Sequence, residues 1–237
     1  MDKNEIMRIL NDWNFWQNEL DTGILRRHYL TLFSSLLKTG LIVVVTGVRR
    51  SGKSYILRQM IKQLISRGLE SKNTLMINLE DPRFTELNAN TLQKMYECYL
   101  ETLEPNKKAY VFLDEVQNVD GWERWVRMMH ELKKAYMVVS GSSSKLLSGE
   151  LATVLTGRHL DLVVWPLSFQ EFLEFEGIKW ENKIEFLKKE IKIKAALRRY
   201  MEFGGFPKVV LNKEKAREIL LTYFEDILTK DIIQRYK

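Results

Sequence analysis

Four short runs that are apolar at nearly every position punctuate the first 140 residues, at 41–45, 74–79, 109–113 and 135–139. A strand exposed on one face would alternate apolar with polar positions. Runs apolar on both faces suit strands of a parallel sheet covered on each side. Residues 54–67, 90–104 and 122–134 lie between and after these runs and carry helical spacing. Strand and helix in alternation predict an α/β fold, an open sheet with right-handed crossovers. A fifth strand is expected at 159–164, ending at Trp165-Pro166.

The first forty residues read as helix, with Ile6, Ile9, Leu10 and Trp13, then Leu30, Phe33, Leu36 and Leu37, at helical intervals. Beyond Pro166 the pattern becomes wholly helical. Ser168 and Glu171 have capping-box spacing, residues 169–175, 184–203 and 215–236 are periodic, and Gly204-Gly205-Phe206-Pro207 interrupts them. The expected division is a sheet domain at 1–166 and a helical subdomain at 167–237. No internal repeat or low-complexity linker stands out.

Gly47-Val48-Arg49-Arg50-Ser51-Gly52-Lys53-Ser54 follows the first strand directly and opens the next helix. This fits G-x-x-x-x-G-K-[ST], the phosphate loop, in its proper context. Backbone N–H groups at a helix N-terminus surround phosphate, and glycine permits the close approach. Lys53 is placed to reach the β- and γ-phosphates of ATP, and the Ser54 hydroxyl to ligate Mg²⁺. The nucleotide-binding set is Gly47, Arg49, Arg50, Ser51, Gly52, Lys53, Ser54 and Tyr55.

The third strand ends in Asp114-Glu115, and strand C-termini gather at the ligand in a parallel sheet. Asp114 then holds the metal with Ser54, and Glu115 is the general base that polarises water. The fourth strand ends in Ser140-Gly141-Ser142-Ser143-Ser144. One of Ser140 or Ser142 orients the attacking water, with Ser142 taken as the catalytic candidate, or the cluster caps a helix beginning near Lys145. Arg158 either reaches a γ-phosphate of its own or a neighbouring subunit, or forms a surface salt bridge. A base-reading N-K-x-D sequence for GTP is missing; the nearest approach is Asn212-Lys213-Glu214-Lys215.

Composition narrows the class further. A net charge of +6 is mild, and the basic residues fall in small clusters such as Arg49-Arg50 and Lys188-Lys189, as a solvated surface would give. Arg198, Arg199, Lys208 and Lys213 alternate with Glu202 and Glu214, a weak basis for DNA binding by the helical tail. A single cysteine, Cys98, excludes an intramolecular disulfide, the three histidines are scattered, and the longest clean apolar run cannot cross a bilayer. A cytoplasmic protein is expected, with no membrane partner and with magnesium brought by nucleotide. Trp13, Trp16, Trp122 and Trp125 at i, i+3 spacing read as packing residues, and residues 25–29, with Arg26 or Arg27, as neighbours of the base.

Taken together, the phosphate loop, Asn78-Leu79-Glu80-Asp81-Pro82-Arg83, Leu113-Asp114-Glu115-Val116-Gln117, the Ser-Gly-Ser strand end, Gly157-Arg158, Pro166-Leu167-Ser168 and Gly204-Gly205-Phe206-Pro207 resemble the AAA-type archaeal and bacterial ATPases of the AAA_14 family. The resemblance covers most of the chain. It implies an AAA+-like P-loop core of strand order 5-1-4-3-2, a helical lid, ATP hydrolysis coupled to a conformational output, and a further C-terminal domain before which this sequence stops. Asp81 is similar to the family's acidic residue after the second strand. Two readings follow: a motor or switch ATPase acting on or near DNA, with homo-oligomerisation a candidate, or a slow nucleotide-dependent scaffold for protein binding.

Overall fold

The structure, a computed structural model, describes residues 1–142 and 155–229. Two compact units are formed, one by Met1–Gly47 with Lys53–Val163, the other by Val48–Gly52 with Val164–Lys237.

In the first unit, helices α1 (Lys3–Asp12) and α2 (Arg27–Leu37) precede the strands, and β1 (Ile42–Thr46), β2 (Thr74–Asn78), β3 (Ala109–Asp114), β4 (Ala135–Ser140) and β5 (His159–Val163) alternate with α3 (Lys53–Ser66), α4 (Ala89–Leu103) and α5 (Trp122–Glu131). The sheet is parallel throughout, in the order β2-β3-β4-β1-β5. Every residue of β1 is buried, as its unbroken apolar run requires. Leu10, Tyr99, Phe112, Leu57 and Trp125 belong to the core. Local signals set helix starts: Asp2 and Glu5 form a capping box on α1, and the Asn88 side chain accepts from Thr91 N–H at the start of α4.

The N-terminal forty residues are two helices, not one continuous helical stretch. Helix α1 stops at Trp13, and the chain then runs irregularly to Arg26, with Gly23 at φ +60°. Gln59 on α3 explains why this segment is ordered. Its Nε2 donates to the carbonyls of Thr22 and Ile24, and its Oε1 accepts from Arg26 N–H. A buried amide that satisfies three backbone groups fixes the path of the chain as firmly as a strand pairing would. Trp13 and Trp16 lie partly buried against the core rather than on a helix, whereas Trp122 and Trp125 are buried on α5.

Strand β2 forms one edge of the sheet, and side chains cover it. Asn14 donates to Met76 O at 2.8 Å and accepts from Met76 N at 2.7 Å, while Trp16 Nε1 donates to Thr74 O. Just beyond β2, Asp81 accepts from Trp13 Nε1 at 2.7 Å and from the Arg83 guanidinium. These hydrogen bonds hold the Asp81 carboxyl well below its usual range, Arg83 contributing most.

The second unit contains α6 (Phe169–Phe175), α7 (Lys183–Phe203), α8 (Pro207–Leu211) and α9 (Ala216–Ile227). Ser168 and Glu171 close the capping box expected for α6. Gly205 packs its backbone on Leu167, whose N–H donates to Gly205 O at 2.7 Å. A Cβ at position 205 would stand 2.3 Å from Leu167 O, so only glycine fits. Among the described residues no helix is long and apolar enough to cross a membrane.

Candidate nucleotide site

Parallel register brings the C-terminal tips of β1, β3 and β4 to one end of the sheet: Val45 pairs with Ser140, and Leu113 with Val139. That end carries Gly47, Asp114, Ser140 and Ser142. The turn into α3 needs unusual backbone angles, with Gly47 at φ +149°, Arg50 at +66° and Gly52 at +99°. Two of the three are glycines, as sterics favour.

Lys53, the first residue of α3, is 4% exposed. Its Nζ lies 3.4 Å from Gly47 O and 3.5 Å from Glu115 Oε1. Asp114 is fully buried; burial pushes its carboxyl up, and hydrogen bonds from Ser140 and Ser54 oppose that shift. Ser140 serves both acids, since its Oγ donates to Asp114 Oδ1 and accepts from Glu115 N–H at 3.3 Å. Glu115 sits in the left-handed region at φ +59°, and Gln117 Nε2 donates to its Oε2 at 2.5 Å. A non-glycine residue there stores about 1 kcal/mol of strain. Ser142 is buried, and its Oγ has no hydrogen-bond partner among the described residues.

The remaining loop residues divide by position. Ser51 is buried with its N–H donating to Val48 O, and Arg49 is half-buried. Arg50 pairs with Asp226 on α9, its guanidinium 4.2 Å from the centre of the Tyr223 ring. Tyr55 is exposed on α3 beside Gly23, its hydroxyl 3.4 Å from Asp21 Oδ2. Arg26, in the segment expected near the base, is buried against the Tyr29 ring at 4.5 Å.

Arg158 is not brought to this group. It precedes β5, where His159 pairs with Ile42, at the opposite end of β1 from Gly47. The five residues of β1 separate the two ends by about 15 Å. Arg158 Nε instead contacts Glu131 Oε1 at 3.1 Å, the surface salt bridge that was the alternative reading. The helix expected near Lys145, with Ser143 and Ser144, lies outside the described residues, as do positions 230–236 of the last helix.

Several of these contacts left no trace in the sequence reading. The double service of Ser140, the Gln117 bond to Glu115 and the Arg50 contacts with α9 are tertiary. Only the left-handed turn has a local hint, an acidic pair followed at once by apolar Val116.

The donor set fits a nucleoside triphosphate with a divalent cation. A buried ammonium, a buried carboxylate, a serine hydroxyl bonded to it and an unsatisfied Ser142 hydroxyl converge on one end of the sheet. Ser54 and Asp114 would hold Mg²⁺, which supplies charge neutralisation to the phosphates when bound. Lys53 places a positive charge at the loop, and Glu115 is the carboxylate beside it.

Comparison with known proteins agrees with this arrangement. Residues 39–173, more than half of the chain, match AAA_14, described as an AAA domain. An uncharacterized protein of Haemophilus influenzae is 33% identical over 90% of this chain and 51% of its own length. The uncharacterized protein MJ1544 of Methanocaldococcus jannaschii is 34% identical over 82% of this chain and 42% of its own. The chain thus spans about half the length of the curated relatives it matches. Among solved structures, the Saccharomyces cerevisiae Hsp104:casein complex aligns over 92% of this chain and 40% of that one, at 11% identity and a TM-score of 0.52, a likeness of fold alone. The AMPPCP-bound DnaA of Aquifex aeolicus aligns over 92% and 75%, at 15% identity and a TM-score of 0.46. On the match to more than half of its length, the chain belongs to the AAA_14 family of AAA domains, with a P-loop AAA+ fold.

Proposed function

We propose that this protein hydrolyses ATP to ADP and phosphate with Mg²⁺ and couples the reaction to a conformational change that acts on a macromolecular partner. The observation that carries the reading is the convergence of Lys53, Ser54, Asp114 and Glu115 at the C-terminal tips of β1 and β3. In this reading Lys53 draws charge from the β- and γ-phosphates, Ser54 and Asp114 seat the metal, and Glu115 takes the proton of the attacking water. Ser142, buried with an unsatisfied hydroxyl, orients that water. The backbone N–H groups of 47–54 bind the phosphates, with Arg49, Arg50, Ser51 and Tyr55 beside them. Self-association, nucleic acid as the partner, and action in the cytoplasm belong to the same proposal.

A second reading is favoured by two contacts of Glu115. Glu115 is engaged by Lys53 and Gln117 rather than presented to solvent, as a slow nucleotide-dependent switch would have it. Steady-state hydrolysis over a protein-concentration series, with wild type and Glu115→Gln, separates the two. Glu115-dependent turnover supports the hydrolase; tight ATP binding without Glu115-dependent turnover at any concentration overturns it in favour of the switch.

A further inference from the structure

The end of the sheet remote from the phosphate loop carries a second concentration of charge. Lys107-Lys108-Ala109-Tyr110 and Lys133-Lys134-Ala135-Tyr136 are identical tetrapeptides at the starts of β3 and β4. Strand register aligns them, Ala109 opposite Ala135 and Tyr110 opposite Tyr136. Neighbouring strands lie about 4.8 Å apart, so the repeat becomes a lateral pair. The two tyrosine rings stack, with centroids 4.6 Å apart and planes inclined by 21°. Lys108 Nζ stands 4.2 Å from the Tyr136 ring centre.

Lys107, Lys108, Tyr110 and Tyr136 line a recess of about 370 Å³ together with Leu64, Arg67, Gly68 and Leu69, and Lys133 lies outside that lining, near enough to act on Lys108. Its cations are neutralised only in part: Lys107 lies in the field of Glu70, whose carboxyl it helps to lower. Burial lowers the Lys108 pKa, and the like charge of Lys133 lowers it further. His130 is lowered by burial with Lys108 and Arg158 adding to it, so the positive field extends beyond the recess. Of the acids that adjoin it, Glu70 is shared between Asn106, Lys72 and the field of Lys107, and Glu131 contacts Arg127 and Arg158. Among the described residues no carboxylate forms an ion pair with Arg67, Lys107, Lys108 or Lys133. Arg67 Nη1 donates instead to the Ser34 hydroxyl.

Clustered cations outnumbering the acids near them, beside a half-exposed aromatic pair, are what a phosphodiester chain with stacking bases requires. We propose that this recess binds single-stranded nucleic acid, with Arg67, Lys107, Lys108 and Lys133 on the phosphates and the Tyr110–Tyr136 pair against a base. The inference deepens the partner-directed reading above, yet it stands on residues outside the nucleotide site and needs no hydrolysis.

Fluorescence anisotropy of a labelled 20-nucleotide oligo-dT, over a salt series, tests it. Wild type is compared with a Lys107→Gln/Lys108→Gln/Lys133→Gln variant, with Lys53→Ala, and with a control that converts three exposed lysines of α7, Lys188, Lys189 and Lys192, to Gln. The lysines of the first variant are exposed, and its thermal midpoint is measured alongside. Expected is a loss of affinity of about tenfold or more in the recess variant, with its log-affinity salt slope reduced by about 2, near 0.7 per lysine. The α7 control and Lys53→Ala are expected to keep wild-type affinity, and duplex of equal length to bind more weakly than single strand. Unchanged binding in the recess variant, equal loss in the α7 control, preference for duplex, or competition by inorganic phosphate as effective as unlabelled oligo-dT overturns the proposal. Because Lys53→Ala disables the phosphate loop but not this recess, failure of the ATPase reading and failure of this one give different patterns.

Discussion

Glu115 occupies a backbone conformation that its side chain makes expensive, and this separates its structural effect from its chemical one. At φ +59° and ψ +50° its Cβ crowds the following carbonyl, at about 1 kcal/mol. Glu115→Ala and Glu115→Gly both remove the carboxylate that faces Lys53 at 3.5 Å. Only the glycine variant also releases the strain. At an ordinary right-handed position Ala is more stable than Gly by about 0.5–1 kcal/mol. Here the strain offsets that preference, leaving Glu115→Gly level with Glu115→Ala or more stable by up to about 0.5 kcal/mol, about 1–2 °C in Tm for a chain of this size. Loss of Lys53's partner affects both variants alike and cancels in the comparison. Chemical denaturation gives the stability difference, and phosphate release gives the chemistry, where both variants are expected to lose about 10²–10⁴-fold in turnover. An alanine variant more stable than the glycine variant by the ordinary margin of about 0.5–1 kcal/mol would refute the strain argument; a glycine variant that keeps turnover would refute the base.

Other outcomes follow from neighbouring contacts. Arg158→Ala is expected to leave turnover in dilute protein within about twofold, since an exposed pair with Glu131 is worth at most about 1 kcal/mol; a collapse measured by phosphate release would return Arg158 to the reaction. Asp226→Asn loosens Arg50 and should tighten ATP binding about two- to fivefold by titration, an unchanged or weaker affinity counting against Arg50 as a phosphate ligand. Asp81→Asn should cost about 1–3 kcal/mol at neutral pH, because its hydrogen bonds to Arg83 and Trp13 are partly buried. The Asp81 carboxyl is depressed in the folded state, so its contribution is full above the unfolded value of 3.8 and is lost as pH falls through the folded one. Denaturant midpoints of wild type and variant should therefore converge in acid; a constant gap would show that the charge is not what stabilises.

What could be read from the sequence was whatever a short window encodes. Strand positions followed from uninterrupted apolar runs such as 42–46, because burial on both faces leaves no polar alternation. The phosphate loop was legible because its chemistry is contiguous, and the capping box at Ser168 because it spans four residues. The ordered path from Thr22 to Arg26 was not, since it depends on Gln59, thirty-three or more positions away in the chain and next to it in space. Arg158 was placed in sequence beside a strand, but which end of that strand faces the nucleotide is a property of register. For the same reason nothing in the sequence singles out Lys107–Tyr110 and Lys133–Tyr136 as a pair; only the register of β3 and β4 sets them side by side.

The covering of β2 by Asn14 and Trp16 bears on what that edge of the sheet can pair with. An open parallel edge is a template on which another chain can add a strand. Here an amide side chain imitates the missing neighbour at Met76, occupying both its N–H and its C=O, and an indole takes the carbonyl of Thr74. The plug is two residues of irregular chain, so it blocks strand addition without extending the sheet and offers no fresh edge of its own. Removing it, by Asn14→Ala with Trp16→Ala, would convert a closed boundary into an adhesive one, and sheet-to-sheet association in concentrated samples would be the price of losing two hydrogen-bonding side chains.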